Sequence, residues 1–163
     1  MLKNKVAKNL LAASSVIVLL CVALNPRVGG CDNSMDLLIV ANKSVPLSKI
    51  SIEELKSIFF RAKTTWPGGD SIEPIHAPSG SQGREMFSHT VLGMSHRDEL
   101  RKWEDLRIMK GLSPPPEFSS KEHERMRTVF KTPNSISYVF RKDFVPGVSK
   151  ILLVLPYEAI SAK

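Results

Sequence analysis

Residues 35–59, MDLLIVANKSVPLSKISIEELKSIF, decide the fold class. Met35 to Ala41 is a short apolar run interrupted only by Asp36, which suits a strand covered on both faces. Asn42 to Ser48, with Pro46 inside it, reads as a loop. Ser51 followed by Glu54 three residues on is the pattern of a helix capping box. Ile52, Leu55, Ile58 and Phe59 then recur at the spacing of one helical face. A strand buried on both sides leading into an amphipathic helix points to an α/β layer architecture.

Downstream, Trp66-Pro67-Gly68-Gly69-Asp70 marks a turn, and Ile72 to Ala77 reads as a second strand split by Pro74. A helix opens from the loop Pro78 to Gly83, with Met86, Phe87, Thr90 and Val91 on its buried side and Gly93 as its stop. Ser95 caps a third helix that ends at Gly111 and is expected to turn Leu100, Trp103, Leu106 and Met109 inward. Pro114 to Pro116 form a rigid spacer. Ser119 with Glu122 caps a fourth helix that ends before Pro133, and Ile136 to Phe140 and Ile151 to Leu155 are two more strands. The predicted order is β-α-β-α-α-α-β-β. Trp66 and Trp103 read as core anchors, since tryptophan buries a large area.

The N-terminus reads as an export signal over residues 1–30. Lys3, Lys5 and Lys8 precede a charge-free run from Leu10 to Leu24, and Asn25-Pro26-Arg27 ends it. That run of fifteen residues is shorter than the roughly 20 a membrane-spanning helix needs. Val28-Gly29-Gly30-Cys31 resembles a lipobox, which makes Cys31 a lipidation candidate; cleavage to an unlipidated product is the alternative. Residues 31–163 then form one domain with one core, expected in the periplasm or cell envelope.

Setting the signal aside changes the charge balance. The whole chain carries 23 basic and 16 acidic residues, a net +7. Lys3, Lys5, Lys8 and Arg27 leave with the signal, so 19 basic residues face 16 acidic ones, a net +3. This mild excess gives no support to nucleic-acid binding. Both cysteines, Cys21 and Cys31, lie in or beside the signal, so the body has no disulfide and no cysteine metal site.

Ser79-Gly80-Ser81-Gln82-Gly83-Arg84 is the most informative motif. It joins a strand to a helix start, where free N–H groups and the macrodipole favour an anion. Glycines allow close backbone approach, the serines offer hydroxyls, and Arg84 could pair with an oxyanion bidentately. The plainer reading makes Ser81 an N-cap, with Glu85 balancing Arg84. A hydrolase reading is weak, because Ser79 replaces the first glycine of a nucleophile elbow. His76, His89, His96 and His123 include no pair at helical zinc spacing, and His89 and His96 are expected to be solvated. No metal, cofactor or catalytic group is expected.

Together these segments resemble the periplasmic phosphate-binding proteins of bacterial ABC transporters, especially short single-lobe relatives. The matching stretches are Leu38 to Pro46, Leu47 to Phe59, Trp66 to Gly69, Ser79 to Phe87 and Pro133 to Val139. The resemblance implies one lobe of a type II periplasmic-binding-protein-like fold, a mixed sheet flanked by helices. It implies an oxyanion such as inorganic phosphate held by Ser79, Gly80, Ser81, Gln82, Gly83 and Arg84, with an ABC permease or another envelope protein as partner. An envelope interaction module that keeps the fold without ligand capture is the alternative. Asn134 and Ser137 stand where the family has glycine, and the segment with which the family's other lobe contacts the ligand is absent.

Overall fold

Strand β1 (Leu37–Ala41) is the centre of the molecule, and all five of its side chains are buried. The computed structural model describes residues 33–118 and 121–157. The signal, Cys31 and Ser119 lie outside those residues. The fourth helix, with its expected Ser119 cap, starts later, at Glu122, with Lys121 in the N-cap position and no side-chain cap. Helix α1 (Ile52–Phe59) begins at the Ser51 N-cap, whose hydroxyl accepts the Glu54 N–H. The return half of the box is missing, because the Glu54 carboxylate pairs with Lys63 instead. Leu55, Ile58 and Phe59 face the core, but Ile52 in the first turn is 37% exposed.

The second strand is shorter than expected: β2 is only Glu73–Pro74, parallel to β3 (Ser135–Phe140). Glu73 and Ile75 donate to the Asn134 and Ile136 carbonyls, whereas Pro74, with no N–H to donate, points away from β3. Beyond Ile75 the chain leaves β3, and His76 pairs with Pro116 and Phe118 of a later segment. Helix α2 (Gln82–Phe87) starts at the Ser81 N-cap and runs directly into a π-helical turn, Ser88–Leu92, closed by Gly93 at φ 73°. Helix α3 (His96–Lys110) is capped by Ser95 and ended by Gly111, also left-handed. Helix α4 (Glu122–Lys131) follows, and then β3, a short 3-10 turn and β4 (Lys150–Leu155).

The four strands lie in the order β2-β3-β1-β4. β1 runs antiparallel to both β3 and β4, with Leu37 opposite Phe140 and Ala41 opposite Ile136. Alternation along β1 sends Leu37, Ile39 and Ala41 to a layer with α1, α2 and the π turn, and Leu38 and Val40 to a smaller layer beneath Met126 of α4. Burial on both faces is why this strand is continuously apolar. At roughly 1.5–3 kcal/mol for each large apolar side chain buried, it is a main source of stability.

Helix α3 corrects the expected inward face. Its buried residues are His96, Glu99 and Trp103, while Leu100 is 49% and Met109 80% exposed. Leu106 is only partly buried. The inward face is polar at two of its three positions because its partners are polar, as described below. Among the described residues no helix is long and apolar enough to cross a membrane.

Candidate functional site

The loop from Ala77 to Arg84 sits between β2 and α2, where the sequence motif places it. Gly80 adopts φ 75°, a conformation that side chains disfavour, and this turns the chain into the helix. Ser79 is held from outside the loop: its N–H and its hydroxyl both donate to the Glu117 carboxylate, at 3.1 and 2.6 Å. The Ser81 hydroxyl donates to the Pro78 carbonyl at 2.7 Å and accepts the Arg84 N–H at 3.3 Å. Gln82 is exposed and Gly83 is buried against the Phe140 ring.

Arg84 is 1% exposed, and its guanidinium is already engaged. Nη2 and Nε form a fork on the two Glu99 oxygens at 2.7 and 3.2 Å, and Nη1 donates to the Ala77 carbonyl at 3.2 Å. The carboxylate that balances Arg84 therefore comes from α3, while the adjacent Glu85 is exposed. Glu117 adds a second negative charge 3.7 Å from Arg84 Nη1.

Glu99 is itself completely buried and surrounded by donors. The Ser88 hydroxyl, turned inward by the π segment, donates to Oε2, and His96 Nδ1 lies 3.2 Å from the same oxygen. His76 Nε2 stands 3.6 Å from Oε1, beyond hydrogen-bond length but within ion-pair range. The tautomer of His76 follows from its neighbours. The Tyr138 hydroxyl accepts the Ala77 N–H at 3.2 Å, so its own proton points to His76 Nδ1 at 3.1 Å. His76 then carries its proton on Nε2, facing Glu99. Burial, and after it the charges of Arg84, His96 and Arg61, holds the His76 pKa well below the usual histidine value. Burial pushes the Tyr138 phenol up in the same way. Burial would also raise the Glu117 carboxyl, but the Ser79 hydrogen bonds and the Arg84 and His96 charges outweigh it and hold it low.

Sequence reading brought the loop and Arg84 together, and missed Glu99, His96, Ser88 and Tyr138. His96 is 7% exposed, contrary to the expected solvated position, while His89 is exposed as expected. The two substituted glycine positions are both accommodated. Asn134 adopts φ 61°, and the buried Ser137 hydroxyl donates to the Ile75 carbonyl at 2.8 Å. Both tryptophans are core residues, Trp66 at 2% and Trp103 at 4% exposure.

No family model and no curated protein matches the chain. Solved structures do. An ABC-type phosphate transport receptor from Vibrio cholerae superposes with a TM-score of 0.55 at 15% identity, covering 73% of this chain and 46% of the receptor. PstS from Borrelia burgdorferi gives 0.55 at 16% identity, covering 71% and 46%. The fold is similar to one lobe of these receptors. At this identity the likeness carries the fold alone, and this chain covers less than half the length of the receptors it matches.

Proposed function

We propose that this chain is an exported, single-lobe binding-protein-like module of the bacterial envelope that makes contact with a partner and does not capture a free anion. One observation carries the reading: at the mouth of α2, the Ser79 N–H and hydroxyl are taken by Glu117 and the Arg84 fork by Glu99, both carboxylates of the chain itself. A phosphate arriving there would meet two negative charges and one guanidinium already forked onto a carboxylate. The carboxylates to which the Ser79 and Ser88 hydroxyls donate also face Arg84, which engages them in structural pairing, so the reading is of binding.

A second reading has a specific observation behind it. The structural neighbours are phosphate receptors, and the Ser79 to Arg84 loop occupies the strand-to-helix junction that suits an anion. On that reading the lobe takes inorganic phosphate or a similar oxyanion for an ABC permease, with Cys31 as a lipid anchor. Equilibrium dialysis of the exported protein with labelled phosphate separates the two. The module reading expects no saturable binding tighter than about 1 mM, near −4.1 kcal/mol. Saturable binding below that level, weakened in both Ser79→Ala and Arg84→Ala, would establish anion capture.

A further inference from the structure

The interaction-module reading leaves open where a partner docks. Of the large apolar side chains that are exposed, Phe130 at 54% and Val145 at 47% line one groove. α4 forms one wall with His123, Met126, Arg127 and Phe130, and Val145 and Val148 form the other. The four α4 residues fall at i, i+3, i+4 and i+7, one continuous helical face. Met126 is buried at the floor of the groove, so its exposed apolar surface is Phe130 and Val145 facing each other across it, with the half-buried Val148 beside them.

Three features select the occupant. First, the groove holds about 290 Å3, just under the roughly 300–1,000 Å3 of small-ligand pockets, so it suits side chains projecting from a neighbouring element. Second, it runs between a helix and the segment leading into β4, with no strand residue in its lining, so its form is that of a helix-in-groove site and not of strand addition. Third, Arg127 is the one formally charged residue of its lining among the described residues, and it stands on the rim with the 71% exposed His123. Glu122 is drawn off to Arg125, and Glu124 lies 4.0 Å from His123 Nε2, leaving Arg127 with no ion-pair partner among the described residues.

We infer that this groove docks an acidic amphipathic helix of a partner protein, whose apolar stripe lies between Phe130 and Val145 and whose carboxylates meet Arg127 and His123. The inference rests on the module reading, which phosphate dialysis tests separately; groove binding can fail while the absence of anion capture stands. The probe is a labelled synthetic helix of about 14 residues, long enough for marginal helicity alone, with Leu at i, i+3, i+4 and i+7 and Glu between. Its control carries Lys in place of Glu. Fluorescence anisotropy should show the Glu helix binding at least about tenfold tighter than the Lys helix, as complementary charge requires. Arg127→Glu should reverse that preference, and Val145→Asp should abolish binding of the Glu helix. Both positions are exposed, so the fold tolerates both changes. Equal binding of the two helices, no binding of the Glu helix at about 1 mM, or indifference to both variants would overturn the inference. Concentration-dependent dimers lost in Val145→Asp would also overturn it, by making a second copy the occupant.

Discussion

Replacing Glu99 with alanine is the sharpest test of the buried charge cluster. The carboxylate is completely buried and takes the Arg84 fork, the Ser88 hydroxyl and the His96 Nδ1 contact. Removing one partner of a buried ion pair costs about 3–5 kcal/mol, because the other charge is left without compensation. Native domains have only about 5–15 kcal/mol to lose. For a domain of this size the midpoint of thermal unfolding should fall by about 10–20 °C, followed by circular dichroism. The double variant Glu99→Ala with Arg84→Met should recover part of that loss, since replacing both charges by apolar groups is often close to neutral. The vacated space should also accept a small carboxylate. Formate at about twentyfold excess over its dissociation constant would restore about 1.8 kcal/mol to Glu99→Ala by mass action, where chloride at equal ionic strength would not. A loss below about 1 kcal/mol in Glu99→Ala, with no difference between formate and chloride, would refute the claim that Arg84 depends on this carboxylate.

Three other outcomes are expected. Because folding depresses the His76 pKa, its contribution is fully present above the unfolded value of 6.5 and is lost as pH falls below it. Urea unfolding should therefore show stability dropping by up to about 1.4 kcal/mol per pH unit below that value, and a slope unchanged in His76→Gln would contradict the assignment. Asn134→Ala should cost about 1–2 kcal/mol from its left-handed backbone, while Asn134→Gly should cost less; equal losses in chemical denaturation would point to the bond that Asn134 Oδ1 accepts from the Ser44 hydroxyl as the larger factor. Mass determination of the protein recovered from the cell envelope should place the mature N-terminus near Cys31; a chain retaining residues 1–30 there would contradict cleavage of the signal.

The elements that were legible in the sequence share a physical feature: their pattern and their environment agree. β1 is apolar throughout because both sides of the sheet are covered, and α1 shows its apolar face and its Ser51 cap within a few residues. The left-handed stops at Gly93 and Gly111 were readable for the same local reason. α3 was misread because hydrophobic periodicity assumes that the buried face is the apolar one. Its buried face carries His96 and Glu99, which are inside only because Arg84 and Ser88 wait there from another helix. The long second strand shrank to two residues because after Ile75 the chain turns from β3 to a distant segment: the His76 N–H donates to the Pro116 carbonyl and its carbonyl accepts from Phe118.

The candidate site shows the same division. Residues 79–84 announced a strand-to-helix loop with a serine cap, a turning glycine and an arginine, and all of these are properties of neighbours in the chain. What occupies the arginine was not a local property. Glu99 lies fifteen residues beyond Arg84 and Glu117 thirty-eight beyond Ser79, and only the packing of α3 and its return segment brings them to the loop. By itself the sequence determined the order of elements, the buried central strand and the helix ends, because short-range sterics and capping set those. Only the tertiary structure decided that the loop's positive charge is answered from within, because electrostatic pairing in a buried site depends on distances in space and leaves no periodic trace along the chain.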